Sequence, residues 1–247
     1  MTDQKAVDRF NRWIHESNST VFFGGAGVST ESGVPDFRSP TGIYAQKGGA
    51  ERYLTVPFMN RHPDEFYDFY REYFMMHGIE PNAAHRKLAE MEAKGRLDAI
   101  VTQNVDGLHQ KAGSHNVFEL HGNGNTFYCQ RCYTQYDFDT VDAGEGPFYC
   151  QCEGCDGLVR PDIVFYGESL DGAVLTGAIR AIEEADLLIV GGSSLTVYPA
   201  AGLIHYKKPS ARLVLINLQP TPYDGLADLA FNEPIGALFS RLEIEPK

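Results

Sequence analysis

Short apolar runs that close on glycines or small polar residues recur along the chain. They are "TVFFGGAG" (20–27), "LDAIVTQNVD" (97–106), "LLIVGGSS" (187–194) and "RLVLINLQP" (212–220). Between them the pattern changes to helical spacing. Ala84, Leu88 and Met91 share one face of "PNAAHRKLAEMEAKG", with Gly95 as the stop, and Val174, Ala178 and Ile182 do the same within residues 173–186. Near the start, Val7, Phe10, Trp13 and Ile14 outline an amphipathic first helix. Unbroken apolar strands separated by helices predict an α/β fold with a parallel sheet covered on both faces. In such sheets ligands lie beyond the carboxyl ends of the strands, so the polar residues after each run are the place to look for chemistry.

Four strand ends carry suggestive residues. After the first, Gly24, Gly25 and Gly27 begin a dinucleotide-type turn, but Thr30 stands where the third glycine belongs, and an irregular loop with Pro35, Asp36, Phe37 and Arg38 follows. Glycines let backbone approach a pyrophosphate, and Ser29, Thr30 and Arg38 add donors. After the second come Gln103, Asn104, Val105 and Asp106; after the third, Gly191, Gly192, Ser193 and Ser194; after the fourth, Asn217. Taken singly, each also reads as a tight turn or a helix cap. His121, flanked by Gly122 in "VFELHGNGN", has the near-neutral titration range of a general base, against the alternative of a capping or surface histidine, which is the reading for His62, His77, His115 and His205.

All five cysteines fall between 129 and 155. Cys129/Cys132 and Cys152/Cys155 form two C-x-x-C knuckles, the arrangement of a closed, structural four-thiolate zinc site, with Cys150 left as a free thiol. A pair of disulfides is the rival reading, but nothing points to an oxidising compartment.

Composition narrows the classes. A net charge of −12 argues against a general nucleic-acid binder. No run of apolar residues approaches a membrane span, and the N-terminal segment lacks the apolar core of a signal peptide, so a cytoplasmic location is expected. There is no G-x-S-x-G elbow, and a saturated metal offers no hydrolytic centre.

The segments "GAGVSTESGVPDFRS", "TQNVDGLHQKAG", "ELHGN", the two C-x-x-C pairs, "RPDIVFYGE" and "GSSLTVYPAA" occur in this order in the sirtuins, and the chain resembles that family from about residue 10 to 240, most of all its compact bacterial members. The resemblance implies an NAD-dependent protein lysine deacylase with a Rossmann-like sheet domain (1–40, 85–125 and 160–247), a helical insert with the cofactor loop (41–84) and a zinc-binding insert (126–159). It implies that Ala26, Thr30 and Arg38 meet the NAD phosphates or nearby ribose, and that Phe37 shields the reacting sugar. By the same likeness Gln103 and Asn104 serve the nicotinamide ribose or an ordered water, and Val105 and Asp106 the carboxamide. Ser193, Ser194 and Asn217 hold the adenosine half, with Ile235 near adenine. His121 is the implied general base, with Asn104 beside it in the catalytic set. Val164, Phe165, Gly167 and Glu168, with Val197 in the facing segment 195–198, line an acyl-lysine peptide that adds as a strand. The acyl group passes to ADP-ribose and nicotinamide leaves; mono-ADP-ribosyl transfer from the same NAD site is the alternative.

Family members that remove succinyl or malonyl groups resemble one another in a Tyr-x-x-Arg pair. Here "DEFYDFYREYF" has Tyr67, but Tyr70 stands three residues on and Arg71 four, which rotates the cation away by about 100°. Phe66, Phe69, Tyr70 and Phe74 are expected to pack and Arg71 to be solvated, giving an enzyme for uncharged acyl groups.

Overall fold

The computed structural model describes residues 4–247. Its strands are β1 (Thr20–Gly24), β2 (Ala99–Thr102), β3 (Val117–Glu119), β4 (Gly122–Cys129), β5 (Gln135–Asp137), β6 (Val159–Ile163), β7 (Leu187–Gly191), β8 (Arg212–Ile216) and β9 (Leu229–Phe231). The helices are α1 (Gln4–Glu16), α2 (Ile43–Gln46), α3 (Val56–Arg61), α4 (Pro63–Tyr73), α5 (Ala83–Ala93), α6 (Leu108–Lys111), α7 (Phe138–Asp142), α8 (Gly172–Glu184) and α9 (Ile235–Phe239). Six strands form a parallel sheet in the order β3-β2-β1-β7-β8-β9.

The four apolar runs are the four central strands, and they read as unbroken runs because both faces are covered. Phe22 and Ile100 join Phe10, Leu88 and Phe239 on the α1, α5 and α9 face. Their neighbours Val21, Phe23 and Val101 join Ala178 and Ile182 of α8 on the other. Phe22 is fully buried, and cutting it to alanine in such a layer costs about 3–5 kcal/mol. The outer strands β3 and β9 are three residues long and only partly buried.

Register decides where the chemistry can sit. Gly24 pairs with both Thr102 and Gly191, and Gly191 pairs in turn with Ile216. The central strands therefore end level, and the segments that follow them emerge side by side along one edge. The first and third turns interlock there: Gly25 N–H donates to the Gly191 carbonyl (3.2 Å) and Gly27 N–H to that of Gly192 (2.8 Å). Gly192 has φ +60, and a Cβ on it would lie 2.3 Å from the Val28 nitrogen, so only glycine serves at this crossing.

A second, antiparallel sheet of order β5-β4-β6 carries the cysteines. It starts at Gly122 and runs to Ile163, a few residues beyond each end of the 126–159 segment. It does not pack alone. Phe127, Cys129 and Val159 share one apolar cluster with Phe66, Tyr67, Phe69 and Tyr70 of α4, so the helical and cysteine-bearing inserts form one body. Arg71 departs from expectation. Its guanidinium donates to the carbonyls of Gly146 (2.6 Å) and Gly144 (3.0 Å) and lies 5.1 Å from the Tyr67 ring, tying α4 to the loop after α7 rather than facing solvent. No helix among the described residues is long and apolar enough to cross a membrane.

Candidate active site

A cavity of about 590 Å³ runs along the level strand ends and under the second sheet. At one end lie Ala26, Thr30, Ser193, Ser194, Asn217 and Ile235, delivered by the turns after β1, β7 and β8 and by the start of α9. Gln103, Asn104, Val105 and Asp106 follow β2 into its middle, and Phe37 and Arg38 cover it from the irregular loop. Val164, Phe165, Gly167 and Glu168, beyond β6, line it together with Val197. Residues assigned from scattered segments thus share a single cavity.

The loop from Asp36 to Tyr44 is held by its own backbone. Ile43 N–H donates to the Asp36 carbonyl (2.8 Å) and Tyr44 N–H to that of Phe37 (3.0 Å), while the Asp36 carboxylate accepts from Ser39 N–H (2.9 Å). These bonds explain why a proline-containing stretch replaces the usual helix. Phe37 packs on Tyr44 and Phe74, with centroids 5.6 and 6.1 Å away. Tyr44 also makes a hydrogen bond to Tyr166, joining this loop to the segment after β6. Arg38 lies over the Tyr44 ring at 5.5 Å and is the one cation on the cavity wall among the described residues.

His121 sits between the two halves. Its Nδ1 donates to the Gln103 carbonyl at 2.9 Å, which leaves the Nε2 lone pair for the cavity. Burial lowers its pKa, partly offset by that backbone bond, so the ring is neutral and able to accept a proton near pH 7. The backbone that aims it depends on Gly122, at φ +80, where a Cβ would stand 2.1 Å from the Asp162 carbonyl oxygen.

Two buried amide nitrogens on the wall, Gln103 Nε2 and Asn217 Nδ2, have no partner within the protein. Buried donors are normally satisfied, and here they are what a sugar's hydroxyls require. A mostly uncharged wall, glycine turns, orphan donors and one arginine fit a dinucleotide carrying a pyrophosphate.

Glu168 lines the cavity, but its carboxylate is engaged elsewhere. It accepts two bonds from Arg160 (2.7 and 2.7 Å) and one from Phe165 N–H (2.8 Å). Arg160 is almost wholly buried and lies 4.3 Å from the Phe165 ring. The pair shapes the segment after β6 from behind.

The cysteine thiols group differently from the two C-x-x-C pairs. The thiols that converge, within 4.8 Å of one another, belong to Cys129, Cys132, Cys150 and Cys155; Cys152 is not among them. Cys129 and Cys155 sulfurs are 3.5 Å apart, and those of Cys132 and Cys150 3.4 Å apart. Tetrahedral Zn–S bonds of about 2.3 Å place sulfurs roughly 3.8 Å apart, so the donor set fits zinc. The physical reason lies in the turn. Cys152 opens it, its carbonyl accepting from Cys155 N–H at 3.0 Å; like Cys132 its thiol is exposed and in contact with the Thr134 hydroxyl, at 3.2 Å, but it lies outside the converging set. Cys150, by contrast, is tied to the Gly157 carbonyl (2.8 Å) and buried. Spacing favours the C-x-x-C pair; what draws Cys150 inward, its place next to the Tyr149–Leu158 bridge, exists only after folding.

Tyr67 is fully buried, donates to the Val159 carbonyl at 2.8 Å, and does not line the cavity; nor does Arg71. Two residues that the sequence did not single out, His85 and His109, are buried close to Ser29 and Phe22 respectively.

One cavity whose wall joins the glycine turns, the neutral His121 and the segment after β6, with a cluster of four thiols elsewhere, at the second sheet, suits an enzyme that takes a nucleotide. The Sir2 family model matches residues 25–199, and the chain belongs to that family. It is 48% identical over 234 residues to an NAD-dependent protein deacetylase of Clostridium acetobutylicum, covering 93% of this chain and 95% of that one. A protein of the same description from Thermotoga maritima is 46% identical over 222 residues, covering 89% of each. Among solved structures, Sir2 with a p53 peptide and NAD superposes with a TM-score of 0.86 at 42% identity, covering 95% of this chain and 96% of that one. A Sir2 histidine-to-alanine variant with deacetylated p53 peptide and 3′-O-acetyl-ADP-ribose gives 0.89 at 42% identity, with the same coverage.

Proposed function

We propose that this protein is an NAD-dependent protein lysine deacetylase that transfers the acyl group to ADP-ribose and releases nicotinamide. The observation that carries the reading is His121, neutral, oriented by the Gln103 carbonyl, and set where the dinucleotide half of the cavity meets the Val164–Glu168 half.

In this reading NAD and an acyl-lysine protein are the substrates. Arg38, Thr30 and the Ala26 turn receive the pyrophosphate. Gln103 and Asn217 give their unpartnered N–H groups to sugar hydroxyls, while Ser193, Ser194 and Ile235 hold the adenosine end. Val105 and Asp106 receive the carboxamide. The peptide enters as an added strand between the segment after β6 and that around Val197. Phe37 keeps water from the reacting sugar, which matters because an amide oxygen is a weak nucleophile. The acyl oxygen bonds to the ribose carbon as nicotinamide leaves; His121 Nε2 then takes a proton from the ribose diol so that a hydroxyl attacks the acyl carbon, and water completes release of the free lysine amine and the acylated ADP-ribose. Cys129, Cys132, Cys150 and Cys155 hold one structural zinc, which braces the inserts and takes no part in the chemistry. The protein works in the cytoplasm on proteins rather than nucleic acids, in keeping with its net charge of −12.

The test is nicotinamide release from NAD with and without an acetyl-lysine peptide. Release should require the acetyl group and yield O-acetyl-ADP-ribose. Release that proceeds equally with unmodified peptide, with ADP-ribose appearing on the protein, would favour ADP-ribosyl transfer instead.

A further inference from the structure

Against the middle of the cavity, a hydrogen-bond chain runs back into the core. His85 is fully buried at the start of α5. Its Nδ1 accepts from the Asn82 backbone N–H at 3.3 Å. A neutral imidazole that accepts at Nδ1 carries its proton on Nε2. Burial, with Arg86 beside it, pushes the His85 pKa down to about 4, so the ring is neutral. Its Nε2–H therefore faces Ser29 Oγ, 3.4 Å away. Ser29 is itself wholly buried and also receives Asn104 Nδ2–H at 3.0 Å. With both acceptor positions of that hydroxyl taken, its one hydrogen goes to Asp106 Oδ2, at 2.6 Å. Asp106 Oδ1 accepts from Leu108 N–H at 2.9 Å. Burial raises the Asp106 pKa, and these two donors oppose it. The His109 ring packs edge-on to His85 at 4.9 Å, so the chain ends at His85.

We propose that His85 is a positioning residue: acting through Ser29, it fixes the direction of this hydrogen-bond chain, holds Asp106 as an acceptor toward the cavity, and so sets affinity for a ligand amide. The inference rests on the function proposed above, in which that amide is the nicotinamide carboxamide of NAD. His85 touches neither substrate; its effect is on the carboxylate.

The variants to compare are His85→Leu, which removes the donor, and His85→Gln. Glutamine can keep the capping contact to Asn82 N–H through its oxygen and donate to Ser29 through its nitrogen. His85→Leu should raise both KM for NAD and the nicotinamide concentration for half-maximal base exchange about tenfold, the scale of one misdirected hydrogen bond. KM for acetyl-peptide should stay unchanged, and His85→Gln should restore most of the loss. Equal damage in both variants, or a Leu variant that loses only thermal stability, overturns the proposal. Long-range ¹H–¹⁵N correlation of the wild-type imidazoles gives a readout independent of turnover. The Nε2–H tautomer of His85 is expected, and an Nδ1–H tautomer overturns the chain. An inactive wild-type protein would sink the deacetylase reading, while the tautomer would still decide this one.

Discussion

Glu168→Ala strands the buried Arg160 guanidinium, and the size of the effect can be worked out from the contacts. The arginine side chain is 5% exposed and the glutamate 32%. Breaking a fully buried pair costs about 3–5 kcal/mol, whereas exposed pairs are worth about 0–1 kcal/mol. Arg160 also keeps the Ile163 carbonyl at 2.9 Å as a partner. A loss of about 2–3 kcal/mol follows, and in a chain of this size that lowers Tm by roughly 4–12 °C. Arg160→Met removes the charge and should cost less; joined to Glu168→Leu it should recover most of the stability, because no buried charge is left over. The pH dependence has a definite sign. Although burial alone raises the Glu168 pKa, Arg160 and Phe165 N–H hold it below the ordinary value. Its stabilisation is therefore complete above the normal glutamate range and is lost as pH falls through the lowered folded value. Phe165 N–H also loses its acceptor, so KM for acetyl-peptide should rise about tenfold, the worth of one hydrogen bond to a charged group. Thermal melts of the single and double variants, with peptide kinetics, form the assay. A double variant less stable than Glu168→Ala would refute the reasoning, since it would mean that the pair acts through something other than the uncompensated arginine.

The remaining predictions concern the site and the metal. His121→Ala should lose on the order of 10²-fold or more in deacetylation while still binding NAD; in the wild type, kcat/KM should rise with pH to a plateau whose midpoint lies below the ordinary histidine value, because the free ring's pKa is lowered, and a midpoint above 7 would remove His121 as the base. Cys150→Ala should release zinc and destabilise the fold, while Cys152→Ala should retain one zinc by metal analysis; the reverse pattern would restore the C-x-x-C pair. On a single peptide sequence, acetyl-lysine should be used far better than succinyl-lysine, since Arg38 is the one cation on the cavity wall among the described residues and Arg71 is engaged with backbone carbonyls. A succinyl preference in kcat/KM would contradict this.

The central sheet was legible because strands covered on both faces leave unbroken apolar runs, as Val21–Phe23 and Leu187–Val190 do. Edge strands leave no such mark: Leu229–Phe231 is short and half exposed, so nothing in its pattern sets it apart from a loop. The candidate residues were legible as motifs at strand ends, and the level register explains why they line one cavity. What motif spacing could not settle was side-chain direction within turns. Cys150 and Cys152 are two residues apart and chemically equal, and only the turn from Cys152 to Cys155 separates them. Arg71 was expected to be solvated, yet its partners are carbonyls more than seventy residues away, beyond the reach of local periodicity. His85 presented itself as one polar residue in an amphipathic helix; its capping geometry and its approach to Ser29 exist only after folding.

Phe37 packs against the same apolar cluster that includes Cys129 and Cys155, through Phe74 just past α4 and Phe69 within it. The Asp36–Tyr44 loop and the cysteine knuckles consequently share one apolar cluster, and they are expected to open together. Stripping zinc should loosen amide protons around Phe37 and Tyr44 along with those of β4 and β6, while the parallel sheet stays protected. A metal held outside the cavity wall is then expected to govern nucleotide capture thermodynamically, with chelation felt first as a weaker grip on NAD and only later as unfolding.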